Sequence, residues 1–264
     1  MAKKQEKLNE SLLNQVENGY YQGIDDLVKN GADVNYKNEK GHIPILRAHD
    51  ALMTQKFIEN GANLNVRDHN NNGQTPLMRA LTYQVRTDET GYPLAAKALI
   101  DGGANVNQKD YNGQTALMQS KSSIATGLLI EAKANVNAVD HEDKSVLMHS
   151  LNKSTFRSYE ADRLLIVEKL VEAGADVNYA RPMDLKTPLM LVQDVSDAQF
   201  LLAAGADITA KDAEGKVPHE QERFNDYKDV QAYLRNTHLN HLVESVNEVE
   251  EEHEYQPSQQ RQRI

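Results

Sequence analysis

Nine histidines, abundant carboxylates and no cysteine leave imidazole and carboxylate as the groups with which this chain could do metal or acid–base chemistry. His238 and His241 stand three residues apart, a spacing that lets both rings share one helix face. A zinc site needs three or four protein ligands, and no third accompanies them. His141-Glu142 and His253-Glu254 are isolated pairs in a turn and a tail. The sequence has no Gly-x-x-x-x-Gly-Lys phosphate loop, Gly-x-Gly-x-x-Gly, His-Glu-x-x-His or Gly-x-Ser-x-Gly. The histidines therefore read as solvated side chains. The chain is expected to hold no metal, no cofactor and no catalytic residue, with an unrecognised site in one of two insertions as the minor alternative.

The elements that would position these side chains recur, with 12 to 14 residues from each finger to the helix start that follows it. A finger motif appears as Gly31-Ala-Asp-Val-Asn35, Gly61-Ala-Asn-Leu-Asn65, Gly103-Ala-Asn-Val-Asn107, Lys133-Ala-Asn-Val-Asn137, Gly174-Ala-Asp-Val-Asn178 and Gly205-Ala-Asp-Ile-Thr209. A helix start follows each time: Ile43-Pro-Ile-Leu46, Thr75-Pro-Leu-Met78, Thr115-Ala-Leu-Met118, Ser145-Val-Leu-Met148, Thr187-Pro-Leu-Met190 and Val217-Pro-His-Glu220. Such a period marks a solenoid. Gly103 suits a left-handed helix end, Asp110-Tyr-Asn-Gly113 is a turn signal, Thr115 stands at an N-cap position, and Pro76 and Pro188 sit where a missing N–H is harmless. Asp33, Asp176 and Asp207, and the column Asn35, Asn65, Asn107, Asn137 and Asn178, share finger positions. Turn chemistry explains them, with side chains bonding backbone in or between fingers.

From about residue 9 to 236 these copies resemble the ankyrin repeat, a β-turn finger plus two antiparallel helices. The resemblance implies an all-α repeat solenoid of about six to seven repeats, two with enlarged helix–helix loops. Three departures stand out. Met78, Met118, Met148 and Met190 occupy the usual histidine position, Lys133 replaces the helix-ending glycine, and Asp143 replaces the turn glycine of the same junction. A left-handed lysine is strained by roughly 1 kcal/mol, which makes that junction the expected weak link.

Helix start and finger are separated by 18 residues in the short repeats and 28 or 29 in the long ones. The short repeats are expected to have trimmed the turn between their helices, and the long ones to loop out over 82–93 and 152–162. Residues 1–8 read as a disordered lead and 9–242 as the repeat domain, with an N-cap at 9–36 and a C-cap at 210–242. Residues 243–264, acidic then glutamine-rich, read as a disordered tail. In the caps, Leu12, Leu13, Val16, Ile24, Leu27 and Val28, then Val230, Tyr233 and Leu234, are expected to face inward. A net charge of −10 argues against nucleic acid and anionic membranes as partners. No apolar run approaches the ~20 residues of a membrane helix, and the N-terminus has no secretory signal pattern. A monomer before partner binding is expected.

The ankyrin resemblance implies binding of a protein through finger tips and the concave face of the first helices. The non-repeating residues there are Glu39, Lys40 and His42; His69, Asn70 and Gln74; Tyr111, Asn112 and Gln114; His141, Glu142 and Lys144; Asp184 and Lys186; and Glu214 and Lys216. Arg47, Arg79, Gln119 and His149 are expected to follow on the helix face. Tyr111 is the best single anchor, an aromatic on a turn tip. A possible second surface lies in the insertions: Tyr83, Arg86 and Tyr92, with Phe156, Arg157 and Tyr159. The short repeat with methionine after Thr-Pro-Leu is similar to ankyrin proteins of bacteria. The glutamate-rich stretch near the C-terminus resembles export signals of bacterial effectors, which implies delivery into a host cell without a signal peptide. The alternative is a cytoplasmic scaffold or immunity protein with an acidic solubilising tail.

Overall fold

Alternation of a short polar finger with two apolar helical runs leaves each unit with one face it cannot bury alone, so neighbours must stack. The structure is a computed structural model describing residues 2–48, 50–83, 93–152, 160–222 and 227–254. It divides into two compact units, Met1–Asp176 and Val177–Ile264.

In the first unit the helices form two ranks. The inner rank is a 3-10 turn at Pro44–Arg47, then α4 (Pro76–Tyr83), α6 (Ala116–Gln119) and α8 (Val146–Ser150). The outer rank is α2 (Ile24–Lys29), α3 (Ala51–Glu59), α5 (Leu94–Asp101), α7 (Ser123–Glu131) and α9 (Glu160–Glu172). Each outer helix packs on its neighbours in order, as α4, α6 and α8 do along the inner rank. The helix α1 (Ala2–Glu17) closes the first unit against α2 and the 44–47 turn. Leu12, Leu13, Val16 and Ile24 are buried there, while Leu27 and Val28 are only half-buried. Residues 2–8 of the segment read as a disordered lead form the opening turns of α1, with Lys3 to Lys7 exposed. The second unit contains a 3-10 turn at Pro188–Leu191, α10 (Val195–Ala203), a 3-10 turn at Pro218–Glu220 and α11 (Lys228–Glu254). α11 packs on α10 and the 218–220 turn, with Val230 and Leu234 buried and Tyr233 half-buried. α11 thus runs helical through 243–254, inside the segment read as a disordered tail.

The short repeats are shortened differently from expectation. Their first helix has shrunk to four residues, at Pro44–Arg47, Ala116–Gln119 and Pro188–Leu191, while the second keeps nine in α3, α7 and α10. The chain turns extended immediately after each, at Ala48, Ser120 and Val192. A side-chain N-cap then restarts it: Asp50 accepts from Met53 N (2.7 Å), Ser122 from Ala125 N (3.5 Å) and Asp194 from Asp197 N (2.7 Å).

Thr115 corrects a second expectation. Its backbone has the extended N-cap conformation, but its hydroxyl caps nothing and lies buried without a partner, as does that of Thr187. Thr75 and Ser145 do cap, each accepting from the N–H three residues on at 3.3 Å. The four methionines after these positions are buried, and Met78 Sδ accepts the Thr75 N–H at 3.5 Å. Soft packing has replaced the imidazole without leaving that amide unpaired. Lys133 and Asp143 take φ of 65° and 56°, the left-handed conformation their positions demand. Leu185, at φ 56°, does the same unforeseen.

Candidate functional site

Each finger begins as a backbone turn whose amides need acceptors, and the side chain at its first position supplies them. Asp110 Oδ1 accepts from the N–H groups of Asn112 and Gln114, Asp140 Oδ1 from Glu142 and Lys144, and Asp212 Oδ1 from Glu214 and Lys216, all at 2.9–3.0 Å. Asn38 does the same for Lys40 and His42. The second carboxylate oxygen reaches the inner helix of the same repeat. Asp68 takes Arg79 Nη1 (2.8 Å), Asp110 takes Gln119 Nε2 (2.8 Å), Asp140 takes His149 Nε2 (2.8 Å) and Asp212 takes Gln221 Nε2 (2.9 Å). These buried aspartates went unnoticed in the sequence. Their signal is an Asp at the turn start with a long polar side chain nine residues on, eleven at Asp68.

Burial pushes the Asp140 carboxyl up, but the Lys144 and Glu142 amides and the His149 ring outweigh it and hold it below 3.8. Asp212 is lowered likewise, with Gln221 and two amides overcoming burial. In the fifth junction Arg181 binds the Asp184 carboxylate through two guanidinium nitrogens and holds it low, against burial. These are structural locks, with each carboxylate ionised to serve as a multiple acceptor.

A second set of bonds ties finger to finger. Asn9, Asn35, Asn65, Asn107 and Asn137 accept through Oδ1 from the backbone N–H of Asp33, Asn63, Asn105, Asn135 and Asp176 at 2.7–2.8 Å. Asn178 does so for Asp207 in the second unit (2.8 Å). Asn107 and Asn137 also donate to the carbonyls of Lys133 (3.2 Å) and Gly174 (2.9 Å). The asparagine column bonds backbone between fingers, as its recurrence implied. At the tips, Asn70 Nδ2 donates to Lys40 O (2.7 Å), Tyr111 N to Asn72 O (2.9 Å), His141 N to Asn112 O (3.0 Å) and Ala213 N to Asp184 O (2.9 Å).

The candidate surface is what stands exposed on this frame. Glu39, Lys40, His69, Asn70, Asn112, His141, Glu142 and Glu214 are exposed, while His42, Gln74, Gln114, Lys144, Asp184, Lys186 and Lys216 are half-buried. Tyr111 is 41% exposed, its hydroxyl bonded to His69 Nδ1 and Arg67 standing 5.8 Å from its ring centroid. Its ring lies against Gly73, where an added Cβ would stand 2.7 Å from it. The tip of the second finger is thereby welded to the third by a residue that also presents an aromatic face.

Arg79 is buried, bound to Asp68, and so leaves the exposed row. Gln119 and His149 are half-buried on their aspartates, and Gln74 Nε2 donates to Gln119 (3.1 Å). Arg47 is half-buried at the end of the 44–47 turn. In the insertions, Tyr83 ends α4, while Arg86, Tyr92, Phe156, Arg157 and Tyr159 lie outside the described residues.

Among the described residues no group of three or more His, Asp or Glu could hold a metal ion, and no helix is long and apolar enough to cross a membrane. His238 meets His219, with ring centroids 5.0 Å apart. A groove of about 560 Å³ between α3 and α5, lined by Leu52, Ile58 and Leu94, carries a Lys97–Asp101 pair (2.7 Å).

Paired helices linked by hydrogen-bonded fingers define a class, and comparison with known proteins agrees. The model of ankyrin repeats (3 copies) matches residues 12–110 and 50–140. Among solved structures the chain is similar to the ankyrin repeat domain of Bcl-3, described as a unique member of the IkappaB protein family. That match has 21% identity and a TM-score of 0.62, over 86% of this chain and 97% of that one. No curated protein matches the sequence. Residues 12–140 match the ankyrin repeat, and the chain has an all-helical ankyrin-repeat fold without strands among the described residues.

Proposed function

We propose that this chain is a non-catalytic protein-binding module whose partner contacts the finger tips and the inner helix face. The observation that carries the reading is the exposed tip row centred on Tyr111, Asn112 and His141. Its backbone is fixed by tip-to-tip hydrogen bonds of 2.9 and 3.0 Å, so little conformational freedom is lost on binding. The recruited residues in the first unit are Glu39, Lys40, His42, His69, Asn70, Gln74, Gln114, Glu142 and Lys144; in the second unit Asp184 and Lys186 hold the same finger positions. Arg47, Gln119 and His149 border them. A protein is the natural ligand because the row offers aromatic, amide and mixed-sign groups over several repeats rather than one enclosed pocket.

The test is affinity capture with the wild-type chain and with a variant carrying Tyr111→Ala, Asn112→Ala, His141→Ala and Lys144→Ala, both checked for native circular dichroism. A partner held by the first and lost by the second supports the reading. Equal capture by both folded proteins would move the interface elsewhere.

The finer setting we propose is a bacterial effector acting on a host protein, supported by the glutamate-rich stretch Glu250-Glu-Glu-His-Glu254. The competing setting is a bacterial scaffold or immunity protein. A translocation reporter fused to the chain, with and without residues 244–264, separates them: tail-dependent export supports the effector reading, and its absence removes the argument from the tail.

A further inference from the structure

Five asparagines in this chain are followed by glycine: Asn18, Asn30, Asn60, Asn72 and Asn112. Asparagine is a thermolabile residue, and this dipeptide is where its chemistry is least hindered. The backbone nitrogen that follows can attack the side-chain Cγ, and glycine, having no Cβ, leaves that approach open. The new N–Cγ bond closes a cyclic imide, the Cγ–Nδ2 bond breaks, and the amide leaves as ammonia with the proton of the attacking nitrogen. Water then opens one of the two imide carbonyls. The product is aspartate, or isoaspartate with the main chain rerouted through the former side chain. Two kinds of hydrogen bond hold the ring open: one on the side-chain amide and one on the glycine N–H.

The fold ties the side chain of four of the five. Asn18 Nδ2 donates to Asn14 O (2.6 Å), Asn30 Nδ2 to Asp26 O (2.8 Å), Asn60 Nδ2 to Asp25 Oδ1 (2.7 Å) and Asn72 Nδ2 to Asp110 Oδ2 (3.1 Å). Asn112 differs. It is exposed on the tip of the third finger, and among the described residues only its backbone N–H and carbonyl are hydrogen-bonded, not its side-chain amide. The Gly113 N–H reaches Asp110 O at 3.2 Å, the longest such bond of the five; at Gly19, Gly31, Gly61 and Gly73 the lengths are 3.1, 3.0, 3.0 and 2.8 Å.

The neighbouring finger shows what each product would meet. The position two residues after the turn aspartate, occupied here by Asn112, is Glu142 in the fourth finger, so the turn accepts an acid there. Isoaspartate is a larger change. Asn112 O accepts the His141 N–H at 3.0 Å, the bond that joins the third tip to the fourth. In isoaspartate that carbonyl becomes a pendant carboxylate and the main chain gains a methylene, so the acceptor leaves the turn that positions it.

We propose that Asn112–Gly113 is a self-modification site, at which Asn112 loses its amide nitrogen while the other four Asn-Gly pairs stay intact. The product places a negative charge on the tip, and its isoaspartate form loosens the fourth finger from the third. The reaction does not depend on the role assigned to the tips; any effect on a partner does.

The experiment holds the full chain in warm, mildly alkaline buffer, folded and in urea, and follows each Asn-Gly pair by peptide mapping with mass spectrometry. Dividing each folded rate by its rate in urea removes the influence of local sequence. That ratio should be about tenfold higher for Asn112 than for the other four, the factor expected for one side-chain hydrogen bond that must break first. Asn112→Ser should remove the ammonia released first and leave the other four rates unchanged. Ion exchange then separates the products, and an isoaspartyl methyltransferase identifies the isoaspartate form. Hydrogen exchange at His141 N should be faster in that form than in fresh protein, and unchanged in Asn112→Asp, the standard for the aspartate product. Equal ratios for all five pairs, or another pair reacting first in the folded chain, overturns the assignment. Preserved protection of His141 N in the isoaspartate form overturns the loosening.

Discussion

Lys133 sits where five sister junctions have glycine, and exchanging the two residue types measures what the finger backbone demands. Its φ is 65°, against 105°, 76°, 90°, 89° and 89° at Gly31, Gly61, Gly103, Gly174 and Gly205. A side chain in this region costs roughly 1–2 kcal/mol from contact between Cβ and the carbonyl oxygen. Glycine relieves that but releases more entropy in the unfolded chain, a loss of about 0.4–1 kcal/mol. The Lys133 side chain is exposed, and the junction's bonds, Lys133 N to Ile130 O (2.9 Å) and Asn107 Nδ2 to Lys133 O (3.2 Å), use backbone atoms of Lys133. Lys133→Gly should therefore stabilise by about 0.5–1 kcal/mol. The mirror substitution Gly103→Lys, where an added Cβ meets nothing within 4 Å, should destabilise by a similar amount. Urea unfolding followed by circular dichroism, with hydrogen exchange at α6 and α7 as the local readout, gives both numbers. Loss of stability in Lys133→Gly, or no change in Gly103→Lys, would refute the reasoning.

Three further outcomes follow from the same geometry. Gly113→Ala should cost at least 1 kcal/mol more than Gly103→Ala in urea melts, because its Cβ would stand 2.6 Å from His141 Cδ2 and 2.8 Å from His141 N, about the size of an overpacking penalty. Thr75→Val should lose about 1 kcal/mol with its cap on Met78 N, while Thr115→Val, removing a buried hydroxyl without a partner, should be neutral or stabilising; equal losses would contradict the structure. Burial, and then the neighbouring His238, holds the His219 imidazole below its usual 6.5, so the folded second unit binds fewer protons than the unfolded one; the stability this confers is present above pH 6.5 and is lost as pH falls from there through the folded value. Exchange protection of α10 and α11 should fall between pH 7.5 and 5.5 in wild type, and the fall should shrink in His219→Gln.

The repeat was legible because its features are local in sequence: a left-handed glycine, a turn, a Thr-Pro-Leu start and an asparagine whose two-sided amide bridges fingers. What escaped reading depends on side chains meeting across a turn. Arg79, Gln119 and His149 look like free helix-face residues in the sequence, and only the fold shows that each has a turn aspartate as its partner. The short repeats hid their solution similarly. Asp50, Ser122 and Asp194 are ordinary polar residues until the first helix is seen to end four residues in, which makes each of them a cap. Thr115 shows the reverse error, a residue in capping position whose hydroxyl points elsewhere.

Photocrosslinking addresses the tip surface most directly. A photoreactive residue is placed at Lys40, Asn112 or Glu142 on exposed tips, and at Gln55 or Glu131 on exposed positions of α3 and α7. After irradiation in cell extract, one protein adduct of constant mass should form from the three tip positions and fail to form from the outer-helix pair. Adducts formed equally from both groups, or only from Gln55 and Glu131, would contradict binding through the fingers.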